Sequence, residues 1–168
     1  MTPIEPVSLG ISLMAIIAFI TPFVYHSKKR KRLELILRQQ FFREAQEYGL
    51  QLHQYDFWRG QYAIGLDETN RTLLYANSSS PLGLVQLQIG DIKDVYLLKS
   101  SRFKGRGRER EEIIDRLEIQ VVLWNPETVG PRLLFFDGER HSDLLGEGPL
   151  AKKWVQIINA QLACPIKN

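Results

Sequence analysis

From Val7 to Tyr25 the chain reads VSLGISLMAIIAFITPFVY without a charged side chain, and Lys28, Lys29, Arg30, Lys31 and Arg32 follow within three residues. About nineteen helical residues at ~1.5 Å each reach roughly 28 Å, close to the ~30 Å hydrocarbon thickness of a bilayer. The run therefore predicts a single transmembrane helix over residues 7–25. A secretory signal would place its positive charge ahead of the apolar region, whereas the only charged side chain there is Glu5. A core helix would need a polar face, and Ser8, Ser12 and Thr21 do not form one.

Basic residues close to a span stay on the cytoplasmic side. This predicts a short outer N-terminus (1–6), a basic junction and juxtamembrane helix (26–54) and a cytoplasmic domain (55–163) with a tail (164–168), all at the inner membrane. The chain has 22 basic and 19 acidic residues, net +3. Removing the five basic residues at positions 28–32 leaves −2, so the domain is not a basic body. That excludes a nucleic-acid-binding surface and favours contact of the junction with anionic lipid headgroups. A lone thiol, Cys164, excludes a disulfide framework.

Beyond the junction, Leu33, Leu37, Phe41, Ala45 and Tyr48 recur at helical spacing, with Ile36 and Phe42 widening the stripe. The stripe can dock on the following domain, or pair with a second copy of the chain over residues 33–48. At two to three heptads it is short for a coiled coil, which favours docking.

From Tyr55 the period changes to two. Tyr62, Ile64 and Leu66 alternate, Asp67-Glu68-Thr69-Asn70 makes a turn, and positions 71–76 return as the second strand of a hairpin. Strands are predicted again around Val85–Ile89, Ile92–Leu98, Leu117–Leu123 and Arg132–Phe136. The chain ends in an amphipathic helix with Leu150, Trp154, Ile157, Ile158 and Leu162 on one face.

A meander of six or seven short strands followed by such a helix resembles the pleckstrin-homology-like (PH-like) fold. The segments YAIGLDETNRTLLYA, VQLQIGDIKDVYLL, RLEIQVVLW and PRLLFFDGE, with the helix around Trp154, are similar to the membrane-anchored PH-like proteins of bacteria whose role is unassigned. The resemblance implies a bent antiparallel barrel closed by the C-terminal helix, with Trp154 in the core. It does not carry phosphoinositide binding with it: the first hairpin turn bears Asp67 and Glu68 with only Arg71 beside them.

The segment KSSRFKGRGRER, residues 99–110, concentrates Lys99, Arg102, Lys104, Arg106, Arg108 and Arg110 against one Glu109. It reads as a glycine-containing loop able to touch lipid or an acidic partner, together with the junction residues Lys28 to Arg32. Catalytic and metal constellations are not legible. His26, His53 and His141 lack ligand spacing, and Cys164 has no base beside it in sequence. No cofactor is implied. The expected function is a non-catalytic interaction module at a membrane, binding a protein partner or lying on anionic lipid.

Overall fold

The computed structural model describes residues 6–78, 83–104 and 111–163, apart from the side chains of residues 6–13, 15, 17, 21–31 and 111. One helix, α1, runs from Pro6 to Glu47. Seven strands follow: β1 (Gln54–Trp58), β2 (Tyr62–Asp67), β3 (Thr72–Asn77), β4 (Leu84–Gln88), β5 (Ile92–Lys104), β6 (Glu111–Leu123) and β7 (Arg132–Asp137). A second helix, α2, spans Glu147–Ala163.

The expected membrane span over residues 7–25 is corrected here. Among the described residues no helix is long and apolar enough to cross a membrane. The apolar run, most of whose side chains lie outside the described set, is not a separate element. It is one end of a 42-residue rod that continues through the basic cluster. The single-pass inner-membrane location falls with it.

The closed barrel is corrected as well. The strands form two antiparallel sheets, β1-β2-β3-β4 and β5-β6-β7. Between them a 3-10 turn, Ile89–Asp91, redirects the chain so that β5 pairs with β6 rather than with β4. The sheets face each other across one core that includes Ile64, Leu66, Leu73, Ile119, Val121 and Leu133. α2 packs on this core, with Ala151, Trp154 and Ile158 fully buried.

Two side chains of the first sheet bridge to the backbone of the second. Trp58 donates its indole N–H to Phe135 O (3.0 Å), and Tyr75 donates its hydroxyl to Leu134 O (2.8 Å). A register shift makes this geometry. Phe136 pairs with Leu117 and Leu134 with the next residue, Glu118, which leaves Phe135 as the extra residue of a bulge on β7. Burial pushes the Tyr75 phenol well above the tyrosine range, so the hydroxyl stays a donor.

The first sheet is covered on its other face by α1. Leu37, Phe41 and Ala45 pack on Ala63, Leu74 and Ala76, while Phe41 meets Phe57 edge-on at 5.5 Å and Arg38 lies over the Phe57 ring. The positions of β2 and β3 under the helix include small residues because the rod approaches closely. A Cβ at Gly65 would stand 2.9 Å from Leu52 Cδ1 and 3.2 Å from Phe41 Cε1. The helix ends in a Schellman motif at Gly49 (φ +68), with Leu50 N–H donating to Ala45 O and Gly49 N–H to Gln46 O.

β5 and β6 are thirteen residues each and extend past β7. Positions 99–104, expected in a loop, are the distal part of β5, paired with β6 as far as Lys104–Glu111. Cross-strand pairs explain the extension: Lys99 reaches Glu112 (2.8 Å) and Arg102 reaches Asp115 (3.2 Å).

Candidate functional site

Where α1 leaves the domain, a cleft of about 370 Å³ opens between Leu33 and Glu34 of α1, the segment Phe57–Gln61 at the β1–β2 turn, and His141 and Leu145 ahead of α2. Its floor is built from the turn. Trp58 pairs with Tyr62 across the hairpin, which obliges the chain to reverse within three residues. It does so through consecutive left-handed residues, Arg59 (φ +54) and Gly60 (φ +63), closed by Gln61 N–H donating to Trp58 O. Glycine adopts that conformation freely, whereas for arginine it costs roughly 1–2 kcal/mol.

Arg59 is held there by long-range partners. Its Nε lies 2.5 Å from Glu147 Oε1, eighty-eight residues away, and Nη2 donates to Asp143 O. The guanidinium carbon sits 5.5 Å from the Phe136 ring centroid. Glu147 is buried at the start of α2 and accepts the Leu145 N–H with its other oxygen (2.6 Å). This ion pair fixes the turn, the loop ahead of α2 and the helix start as one unit. A carboxylate in the first turn also suits the helix dipole.

Trp58 is sandwiched: its ring stacks on Tyr62 at 5.4 Å and on Phe135 at 4.6 Å, each at 14°. Beside it Asp137 is buried, with Arg140 Nε at 3.6 Å and its own carbonyl accepting His141 N–H. Among the described residues, two enclosed side-chain polar atoms lack a hydrogen-bond partner, Tyr62 Oη and His141 Nε2. Burial pushes the Tyr62 phenol up. Burial first, and then the Arg59 guanidinium, holds the His141 imidazole below its ordinary value, so the ring is neutral at pH 7. Leu33 and Leu145, 49 % and 79 % exposed, stand among the walls.

The site residues expected from sequence do not gather here. Arg32 is exposed on α1, and the side chains of Lys28, Lys29, Arg30 and Lys31 lie outside the described residues. Lys104 is exposed on β5, and Arg106 and Arg108 lie outside the described residues. Arg102 is paired with Asp115. The Glu112 carboxyl is held below its ordinary value by hydrogen bonds from Lys99 and Ser101. Carboxylates of β6 thus compensate the charge of Lys99 and Arg102.

Sequence reading passed over the cleft because its parts share no spacing. Trp58-Arg59-Gly60 is the one local signal, an arginine before a glycine between two strands. Among the described residues no group of three His, Cys, Asp or Glu side chains is arranged to hold a metal ion. Comparison with protein families, curated proteins and solved structures finds no match to this chain.

Proposed function

We propose that the protein is a non-catalytic interaction module that binds a protein partner at the cleft bounded by α1, the β1–β2 turn and the loop ahead of α2. The observation that carries this reading is a preformed concavity at the meeting of three elements, in which the exposed Leu33 and Leu145 stand beside polar side chains, the usual build of a recognition pocket. Its volume of about 370 Å³ suits part of a chain rather than a large cofactor. The ionic side chains around it already have partners within the fold, Arg59 with Glu147 and Glu34 with Arg38, so they serve to shape the pocket and not to turn over a substrate.

A second copy of the chain is the less favoured partner. Leu37, Phe41 and Ala45 of the 33–48 stripe are spent on the protein's own sheet, which leaves Leu33, Ile36 and Tyr48 exposed. The test is site-specific photo-crosslinking in cells with a reactive residue at Leu145 of the full-length chain. A discrete adduct with another protein, not formed from the exposed Gln156 of α2, is the expected result. Adducts that form equally from both positions would remove the cleft from the interaction.

A further inference from the structure

The outer strands of the two sheets are β1 and β4 in the first, β5 and β7 in the second. All but one are blunted against further pairing. β1 carries Asp56, whose carboxylate holds Lys153. β5 carries Lys93, Asp94, Lys99, Arg102 and Lys104, and β7 has its Leu134 and Phe135 carbonyls taken by Tyr75 and Trp58. Charges and occupied backbone groups at an edge keep a sheet from adding strands. β4 reads Leu84-Val85-Gln86-Leu87-Gln88, with neither a charge nor a proline. Its register shows which backbone groups are open. Asn77 N–H donates to Gly83 O and Ile89 N–H to Arg71 O, at the two ends of the β3–β4 ladder. Alternation from these ends turns the backbone of Val85 and Leu87 towards β3 and that of Leu84, Gln86 and Gln88 outward. Among the described residues no hydrogen bond reaches the outward N–H and C=O of Leu84 and Gln86, or the N–H of Gln88.

We propose that β4 is a homodimer interface, pairing antiparallel with β4 of a second copy about a two-fold axis at Gln86 and joining the two four-stranded sheets into one. A two-fold contact needs a surface complementary to itself. The outward residues meet that need, since Leu84 and Gln88 stand symmetrically about Gln86. In the pair, Gln86 exchanges N–H···O=C bonds with Gln86 of the second copy, and the Leu84 carbonyl accepts the Gln88 N–H. Val85 then lies opposite Leu87 of the second copy as a non-hydrogen-bonded pair, the closer kind. Both side chains pack at the rim of the core and are only partly buried in the single chain, so pairing removes apolar surface from water. The absence of charge selects the occupant. A charged residue at position 86 would face its own like charge across the axis, whereas glutamine both donates and accepts and can meet itself. β1, whose turn floors the cleft, is at the other edge of the sheet, so the dimer is independent of the interaction reading above.

Sedimentation velocity of the full-length chain reads the association directly. With rising concentration the mass should move from 19.4 kDa towards twice that value. Gln86→Lys and Gln86→Glu each place like charges across the axis and should weaken the dimer by at least about tenfold. Gln86 is exposed, so both variants should keep the parent's circular dichroism spectrum. An equal mixture of the two variants should associate again, because only at the axis does position 86 of one copy meet position 86 of the other. Gln156→Lys, at an exposed position of α2, should associate as the parent does. A parent that stays at 19.4 kDa at every concentration would overturn the proposal and leave the edge to a strand of another protein. An oligomer that neither Gln86 variant weakens is built on another surface, such as α1, and would overturn it equally. So would two monomeric variants whose mixture fails to reassociate, since position 86 would then not lie on the axis.

Discussion

Replacing Trp154 with alanine is the most direct test of how α2 holds the two sheets together. The indole is fully buried, and its N–H donates to Asp56 Oδ2 on β1 at 2.8 Å, where Lys153 also arrives at 2.7 Å. Truncating a buried tryptophan costs about 3–5 kcal/mol. For a chain of 168 residues each kcal/mol moves the midpoint by about 3–4 °C, which gives a fall of roughly 10–20 °C. Trp154→Phe separates the two contributions. It keeps most of the apolar area, loses the hydrogen bond and leaves Asp56 with Lys153, so the loss should be about 1–2 kcal/mol, or roughly 3–8 °C. Thermal melts by circular dichroism, repeated as denaturant titrations to check that the slope is unchanged, read both values. If Trp154→Ala melts within about 2 °C of the parent, α2 is not part of the cooperative core and the argument fails.

Other sites give tests of the same kind. Gly65→Ala drives a Cβ against Leu52 and Phe41 and should cost about 1–3 kcal/mol, read as a lower denaturant midpoint; an unchanged midpoint would mean that α1 yields freely. Glu147→Ala leaves the Arg59 guanidinium, 12 % exposed, without its partner and should cost about 3–5 kcal/mol, whereas Glu139→Ala, in an exposed turn, serves as the control with little change. Burial alone would raise the Asp67 carboxyl, but hydrogen bonds from the Asn70 and Gln51 N–H groups and the Asn70 side chain outweigh it and hold it below its ordinary value. The folded value lies below the unfolded one of about 3.9, so the stabilisation is complete above that pH and is lost as pH falls through the lower folded value. Between about pH 4 and pH 2 the parent's melting temperature should therefore fall more steeply than that of Asp67→Asn, and parallel curves would contradict the assignment.

What could be read from the sequence was whatever depends on neighbours. Alternation at Tyr62, Ile64 and Leu66 marked β2, Asp67 to Asn70 marked the turn, and of the expected α2 face Trp154 and Ile158 are fully buried while Leu150, Ile157 and Leu162 pack at the core's edge. The middle of the α1 stripe, Leu37, Phe41 and Ala45, was legible for the same reason, whereas Leu33, Ile36 and Tyr48 of the same stripe are exposed. The barrel was not an adequate expectation, because strand order within a sheet leaves no trace in a strand's own alternation: β4 and β5 read alike whether or not they pair. Residues 99–104 read as a loop because charges dominate them, yet Glu112 and Asp115 lie opposite and turn those charges into cross-strand contacts. The cleft escaped because Arg59 owes its role to Glu147 and Asp143, contacts of 88 and 84 residues' separation that no window spans.

The seam made by Trp58 and Tyr75 bears on the order of events in folding. Each sheet is a meander in which every strand pairs only with its neighbours in sequence, so both sets of hairpins can assemble from local encounters. The two bridging bonds span 77 and 59 residues and require the β7 bulge to exist before either acceptor is in place. Long loops close slowly and reward the chain only on completion, so the joining of the sheets belongs after the rate-limiting step. Tyr75→Phe should accordingly speed unfolding while leaving the refolding rate close to that of the parent. The seam then acts as a latch on the finished molecule: it sets how long the native state lasts rather than how quickly it is reached.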